Sequence, residues 1–220
     1  MPMRTFLQQA SRTLLSLMLS VLAVATYAGK YNEVMSIGDA MPEFNDLPTV
    51  SGETISSSDL TTDIVVLVSL SNNCPFSRGI EKDLIAFVDS VKDQSVKVIA
   101  MGFNLHKGDQ MPAMRQHAKD NGFNFTYLRD DSQTLGRQLG TAVTPEFFVF
   151  NKQRKLVYTG LLHDSPPMDQ GDKVVYPKGK PTEFYVADAI KQTLHNKPVK
   201  IAETHAFGCS VEYKVDRYEK

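Results

Sequence analysis

Residues 64–78, IVVLVSLSNNCPFSR, decide the fold. The first seven side chains of this stretch carry no charge and are mostly β-branched or apolar, which is typical of a central strand buried on both faces. A second such run lies at Val96 to Phe103. Apolar residues recur at helical spacing between the two runs, at Ile80, Leu84, Phe87, Val88 and Val91. A strand, a helix and a strand over this distance form a βαβ unit, whose right-handed crossover places both strands parallel in one sheet.

Further elements along the chain predict an α/β domain with a mixed central sheet flanked by helices. Two apolar runs, at 146–150 and 156–159, flank a polar turn and predict a hairpin. Asp131 is the expected N-cap of one helix and Thr182 of another. The other predicted elements are a leading hairpin at 44–48 and 54–55, helices at 111–121, 132–139 and 182–194, and a strand at 125–128.

The composition excludes several classes of protein. Lys and Arg number 24 against 25 Asp and Glu, and 42% of the 220 residues are hydrophobic. This balance argues against a nucleic-acid-binding protein and favours one sizeable folded core. Only two cysteines are present, Cys74 and Cys209, which excludes a four-cysteine zinc site and a scaffold of several disulfides. Any cysteine chemistry must use one thiol or one pair.

Residues 1–28 have the layout of a secretory signal peptide, in which Arg4 and Arg12 precede an apolar run at 14–25. That run is shorter than the roughly 18 to 20 residues that a helix needs to span a bilayer. We therefore expect cleavage after Ala25 or Ala28. The mature protein is expected in the periplasm or outside the cell, with no stable membrane span after processing.

The remainder is expected to form one domain at 29–198 and a C-terminal tail at 199–220 that carries Cys209. Within the domain, residues 163–181 are crowded with proline and glycine and predict a long loop. Loops of this length inside a compact domain are usually functional or mobile.

Cys74 lies between the first buried strand and the predicted helix. The N-terminus of a helix concentrates unpaired N–H groups and positive partial charge, which stabilise a thiolate over a thiol. Pro75 follows at once, and a turn of this kind is a poor place to bury a cysteine. We expect an accessible, reactive Cys74 rather than an inert buried one.

Two segments, Cys74-Pro75-Phe76-Ser77 and Val143-Thr144-Pro145, together with the order of a βαβ unit and then a hairpin, resemble the thioredoxin fold. A third segment, Gly208-Cys209-Ser210, resembles the tail of one branch of a related group. From Ile37 to Asp164 the chain is similar to the redoxin group that includes alkyl hydroperoxide reductase and thiol-specific antioxidant proteins. The similarity is greatest to its peroxiredoxin-like branch, whose tail carries a Gly-Cys-Ser segment. The resemblance implies a thioredoxin-like fold without a cofactor. It also implies a redox-active Cys74 that reacts with a redox partner protein or with a small hydroperoxide or disulfide.

The chain departs from the patterns of both groups. Thioredoxins carry Cys-x-x-Cys, but Ser77 takes the second position here, so a local disulfide is excluded. Peroxiredoxins carry Pro-x-x-x-Thr/Ser-x-x-Cys. Ser71 matches the hydroxyl position of that motif, whereas Leu67 takes the place of its proline. The resemblance is therefore more specific about the fold than about the reaction.

The supporting residues of the site are expected around the sulfur. Ser71, Ser77 and Arg78 would polarise it. If Thr144-Pro145 is the cis-proline loop of this fold, the backbone of Thr144 lies beside the sulfur, where a partner segment can pair with it as an added strand. These two residues would then shape the docking groove.

Three interpretations of Cys209 remain open: a permanent disulfide staple with Cys74, a resolving thiol for oxidised Cys74, and an unrelated buried cysteine. We expect the resolving or reversible pair. The two sulfurs could also join His163 and His205 in a soft metal site, although the ligand count argues against it. The preferred function is an exported thiol oxidoreductase with Cys74 as nucleophile. The alternative is a non-catalytic module with a structural cysteine pair that binds a protein or a metal.

Overall fold

The computed structural model describes residues 29–215. The expected signal peptide at 1–28 lies outside the described residues, as do the last five residues of the tail. No helix of the described part is long and apolar enough to cross a membrane.

A five-stranded mixed sheet forms the centre of the domain, as the sequence predicts. Its order is β5 (Thr126–Arg129), β4 (Val96–Gly102), β3 (Ile64–Ser69), β7 (Glu146–Phe150) and β8 (Leu156–Gly160). Strand β3 pairs parallel with β4 and antiparallel with β7, and β4 pairs parallel with β5. The predicted βαβ unit and the predicted hairpin are both confirmed.

Helices cover both faces of the sheet: α1 (Pro75–Val91), α2 (Met111–Asp120), α3 (Thr134–Gln138) and α4 (Tyr185–Leu194). Successive residues of a strand point to opposite faces, and β3 shows this directly. Val66 packs in the apolar cluster that includes Leu84 of α1, whereas Leu67 packs on the other face with Leu135 of α3. All of β3 is buried, which explains its uncharged sequence.

Short strands complete the fold. The leading hairpin pairs β1 (Leu47–Pro48) with β2 (Thr54–Ile55), and it is shorter than predicted. The segment 163–181, predicted as a loop, contains a two-strand hairpin of β9 (Met168–Asp169) and β10 (Val174–Val175). The tail contributes β11 (Cys209–Ser210), which pairs antiparallel with β6 (Val143–Thr144).

Both predicted helix caps are wrong. Helix α3 begins after Gln133, because the carboxylate of Asp130 accepts the N–H groups of Leu135 and Gly136, at 2.9 and 3.3 Å. Asp131, the expected cap, instead accepts a hydrogen bond from Arg129.

The cap of helix α4 also differs from the prediction, because the predicted cap residue binds another side chain. This helix begins after Phe184, because the hydroxyl of Thr182 donates to Asp164 at 2.7 Å. Thr182 thereby closes the base of the segment 163–181 instead of starting the helix.

Candidate active site

Cys74 is the N-cap residue of α1, and Pro75 is the first residue of the helix. The turn that follows β3 brings the Cys74 N–H to the Ser71 carbonyl at 3.1 Å, and the Cys74 carbonyl accepts the N–H of Arg78 at 3.0 Å. The sulfur is therefore at the N-terminal end of a 17-residue helix, where the macrodipole favours negative charge. The sequence predicted this position correctly.

The two cysteines, 135 residues apart, meet at this helix end. The Sγ atoms of Cys74 and Cys209 are 2.6 Å apart, so about half an ångström of movement brings them to the length of an S–S bond, roughly 2.05 Å. Both are free thiols here. Of the three interpretations of Cys209, an unrelated buried cysteine is excluded.

The backbone of Thr144 lies beside the sulfur. Cys74 Sγ is 3.1 Å from the Thr144 carbonyl oxygen, and the Thr144–Pro145 peptide bond is cis, as the resemblance implied. The place for an added strand is taken by the protein's own tail, in which Cys209 pairs directly opposite Thr144.

Cys74 is buried, with 2% of its surface exposed, contrary to the expectation of an accessible thiol. Sequence reasoning failed here because the covering groups, Cys209 and Thr144, are distant in the chain. Cys209 itself is partly exposed.

The pKa values of the two thiols shift in opposite directions. Burial disfavours the Cys74 thiolate, but hydrogen bonds from the Cys209 thiol, the Ser77 backbone N–H and the Thr144 side chain outweigh it, so the pKa of Cys74 is below its ordinary value. Burial and the hydrogen bond to Cys74 raise the pKa of Cys209 to about 12. When the pair loses one proton, Cys74 is therefore the sulfur that carries the negative charge.

A buried carboxylate, which the sequence analysis missed, fixes the turn before Cys74. Asp109 accepts the Ser71 hydroxyl at 2.8 Å and the Asn72 N–H at 2.6 Å. Its chain neighbourhood is polar and aperiodic, so no pattern marks it. Ser71 was expected to polarise the sulfur, but its hydroxyl is bound to Asp109.

Ser77 and Arg78 also differ from expectation. The backbone N–H of Ser77 faces the Cys74 sulfur, whereas its hydroxyl accepts the N–H of Ser71 at 3.2 Å. The guanidinium of Arg78 pairs with Asp169 at 2.6 Å and donates to the carbonyl of Asn72 at 3.2 Å. Arg78 thus joins the segment 163–181 to the turn before Cys74.

The two histidines considered as metal ligands have other partners. His163 is buried and its Nε2 lies 3.0 Å from a carboxylate oxygen of Asp83. The ring of His205 packs edge-on against Tyr31. Within residues 29–215, no three His, Cys, Asp or Glu side chains are grouped so that they could hold a metal ion.

Comparisons with solved structures confirm the fold. An uncharacterised conserved protein from Geobacillus kaustophilus is 25% identical, with a TM-score of 0.73 over 83% of this chain and 95% of its own. A hypothetical protein from Sinorhizobium meliloti 1021 is 24% identical, with a TM-score of 0.74 over 84% of this chain and 98% of its own. A protein from Chlorobium tepidum described as the thiol:disulfide interchange protein DsbE is 20% identical, with a TM-score of 0.52 over 74% and 97%.

No curated protein matches the chain. The model of the AhpC/TSA family matches residues 37–159, which is more than half of the sequence and includes β3, Cys74 and the cis-proline strand. The chain is a thioredoxin-fold redoxin and belongs to the AhpC/TSA family.

Proposed function

We propose that this protein exchanges thiols and disulfides with a redox partner through the pair Cys74 and Cys209. The observation that carries the proposal is the contact of the two sulfurs at the N-terminal end of α1, 2.6 Å apart. This nonlocal pair takes the place of the Cys-x-x-Cys motif that Ser77 interrupts.

The chemistry of the pair is a two-electron exchange. When the Cys74–Cys209 disulfide forms, a partner disulfide gains two electrons and two protons and leaves as two thiols. In the reverse direction, a partner dithiol becomes a disulfide and both cysteines are reduced. Cys74 supplies the thiolate in this cycle, because its pKa is the lower of the two.

Titration of the mature protein in glutathione redox buffers tests this function. The expected result is loss of both free thiols together, with one peptide that links Cys74 to Cys209, and full recovery of the thiols on return to reducing buffer. The Cys74→Ser and Cys209→Ser variants should form no internal disulfide. Ser210→Ala, an exposed position in the same strand, is the matched control and should behave as the wild type.

Two results would contradict the proposal. Thiols that stay reduced across the whole series would leave a binding module without redox chemistry. A disulfide that forms and then resists reduced glutathione in the folded protein would be a structural staple.

Hydroperoxide reduction is the second candidate, because the matching family is AhpC/TSA. Here Cys74 would be oxidised to sulfenic acid, and Cys209 would displace the hydroxyl as water to form the disulfide. The engagement of Ser71 by Asp109 argues against fast peroxide activation. Rapid mixing with hydrogen peroxide tests it, and loss of the Cys74 thiol no faster than an ordinary thiol would reject it.

The location of the protein is part of the same proposal. We place the mature chain in an oxidising exported compartment after removal of residues 1–28, where an internal disulfide is expected to persist. N-terminal sequencing of the secreted product should give a terminus after residue 25 or 28, and an intact Met1 would refute export by cleavage.

A further inference from the structure

Access to the two sulfurs is unequal, and this difference bears on where a partner attacks. Cys74 lies behind the tail and is 2% exposed, whereas Cys209 lies in the tail and is partly exposed. We propose that a partner thiol opens the oxidised pair at Cys209, and that Cys74 is the sulfur that leaves. This inference rests on the thiol–disulfide exchange proposed above and names the sulfur that the partner contacts.

The backbone beside Cys74 is already occupied. Strand β11 pairs with β6, and the N–H of Val211 donates to the Ala142 carbonyl at 3.0 Å. Gly208 passes so close to the cis-proline loop that an added Cβ would lie 2.0 Å from the Thr144 carbonyl oxygen. A partner strand therefore cannot pair with Thr144 until residues 208–210 leave.

The tail is anchored before Cys209. The N–H of Thr204 donates to the Thr159 carbonyl at 3.0 Å, and that of Thr159 donates to the Ala202 carbonyl at 3.0 Å. The hydroxyl of Thr204 accepts the N–H of Leu161 at 2.8 Å and lies 2.7 Å from the Tyr158 hydroxyl. These bonds hold the tail on the outer strand β8.

A second anchor lies after Cys209. Gln133, which is fully buried, donates to the Glu212 carbonyl at 2.8 Å and accepts the Lys214 N–H at 2.7 Å. The hydroxyl of Tyr213 donates to the Thr141 carbonyl at 2.8 Å. The tail is therefore held on both sides of Cys209, which lies against Cys74 and is the more exposed of the two cysteines.

Two neighbours of Cys209 in the tail are exposed. Phe207, two residues earlier, is 52% exposed and rests edge-on against Phe76, with 5.0 Å between the ring centroids. Ser210, the next residue, is exposed. A thiol that arrives from solvent therefore meets Cys209 first, beside an apolar aromatic pair.

The exchange step balances as follows. A partner thiolate attacks Cys209 Sγ, the Cys74–Cys209 bond breaks, and Cys74 leaves as a thiolate. A second thiolate of the partner then attacks the partner sulfur of the mixed disulfide. The partner leaves as a disulfide, and Cys209 takes up a proton. The thiol with the lower pKa is the better leaving group, which agrees with Cys74 in that role.

The test is the position of the first adduct on the wild-type protein. Fully oxidised protein is mixed with reduced glutathione, quenched in acid at short times, unfolded, alkylated and mapped by peptide mass spectrometry. The expected result is at least about ten times more glutathione on Cys209, paired with alkylated Cys74, than on Cys74. The same reaction in urea is the control, where unfolding should abolish the preference.

Each outcome has a separate meaning. Glutathione mainly on Cys74 would overturn the inference and leave thiol–disulfide exchange intact. A preference for Cys209 that persists unchanged in urea would also overturn it, because the fold would not be its cause. Failure of the protein to form the Cys74–Cys209 disulfide beforehand would instead refute the proposed function.

Discussion

Two segments without periodic pattern, 163–181 and 199–215, both pack against the end of the sheet that carries Cys74. The first crosses α1 at Gly79, where an added Cβ would lie 2.8 Å from the Pro167 carbonyl oxygen. The second crosses the cis-proline strand at Gly208, where an added Cβ would lie 2.0 Å from the Thr144 carbonyl oxygen. At each crossing a glycine, Gly79 of α1 or Gly208 of the tail, lets two backbones approach more closely than any other residue allows.

The two segments place different side chains at the end of the sheet that carries Cys74. The segment 163–181 brings Asp169 to Arg78, an ion pair that is partly open to solvent, and Tyr176 to the carboxylate of Asp83. The tail places the Cys209 thiol against the Cys74 thiol. The first segment therefore holds the turn before Cys74, whereas the second places another thiol beside the Cys74 sulfur.

Gly208→Ala changes the crossing of the tail over the cis-proline strand and should have the largest effect. The new Cβ cannot fit against Thr144, so β11 should lift and the effective concentration of Cys209 at Cys74 should fall. We expect internal disulfide formation to slow by about 100-fold and alkylation of Cys74 to accelerate. Stopped-flow oxidation and timed iodoacetamide labelling measure the two rates.

Ser210→Ala is the control for Gly208→Ala, since its side chain is exposed on the same strand. It should leave both rates at the wild-type value. Unchanged disulfide formation in Gly208→Ala would show that the pairing of β11 with β6 does not position Cys209.

Glu146→Gln tests the buried carboxyl group next to strand β6, with which the tail pairs. Burial raises the pKa of Glu146 from 4.5 to about 7, against hydrogen bonds from the Ala142 and Val143 backbones and Asn32 that lower it. The folded protein therefore holds this proton more tightly than the unfolded chain, and stability should fall as the pH rises from 5 to 8. The expected loss is about 2 kcal/mol.

Urea unfolding at pH 5, 6, 7 and 8 measures this dependence. Glu146→Gln cannot ionise, so its free energy of unfolding should lack that fall over the same range. The exposed carboxyl of Glu43 provides the control variant, Glu43→Gln, which should keep the wild-type slope. Identical slopes for the wild type and Glu146→Gln would show that Glu146 does not titrate in this range.

Gly79→Ala tests the other segment and should have the smallest effect. The Cβ would press on Pro167, but alanine also favours the helix by about 1 kcal/mol, so the free energy of unfolding should fall by only about 1 kcal/mol. We expect faster proteolysis within 163–181 and an unchanged rate of disulfide formation. Limited proteolysis beside stopped-flow oxidation gives both values.

Lys82→Ala, an exposed substitution on α1, is the control for Gly79→Ala and should not alter proteolysis. A large loss of disulfide formation in Gly79→Ala would mean that the segment 163–181 shares the chemical role assigned to the tail.

Much of the sheet and of the helix pattern could be predicted, because each element shows its own periodicity. The apolar run of β3 and the spacing of Ile80, Leu84 and Phe87 are local, so the βαβ unit is visible in the sequence. The helix caps were less predictable, because Asp130 and not the adjacent Asp131 accepts the N–H groups of its helix, and because Thr182 binds Asp164, 18 residues away.

The site was predictable in part. The position of Cys74 at the helix N-terminus follows from local order along the chain, whereas the position of Thr144-Pro145 followed from the resemblance to the thioredoxin fold. The roles of Asp109 and Gln133 do not, since each is a single polar residue whose partners lie far away in the sequence. A polar side chain that binds a distant backbone leaves no repeating pattern.

The strand, the helix and the cysteine at their junction follow from the local sequence, because hydrophobic periodicity and helix electrostatics act over a few residues. The contact in which Cys209 lies against Cys74 and covers it arises only from the tertiary fold. That contact depends on anchors at Thr204 and Gln133, which join segments 43 and 79 to 81 residues apart. Bonds between segments so far apart in the chain leave no local pattern in the sequence.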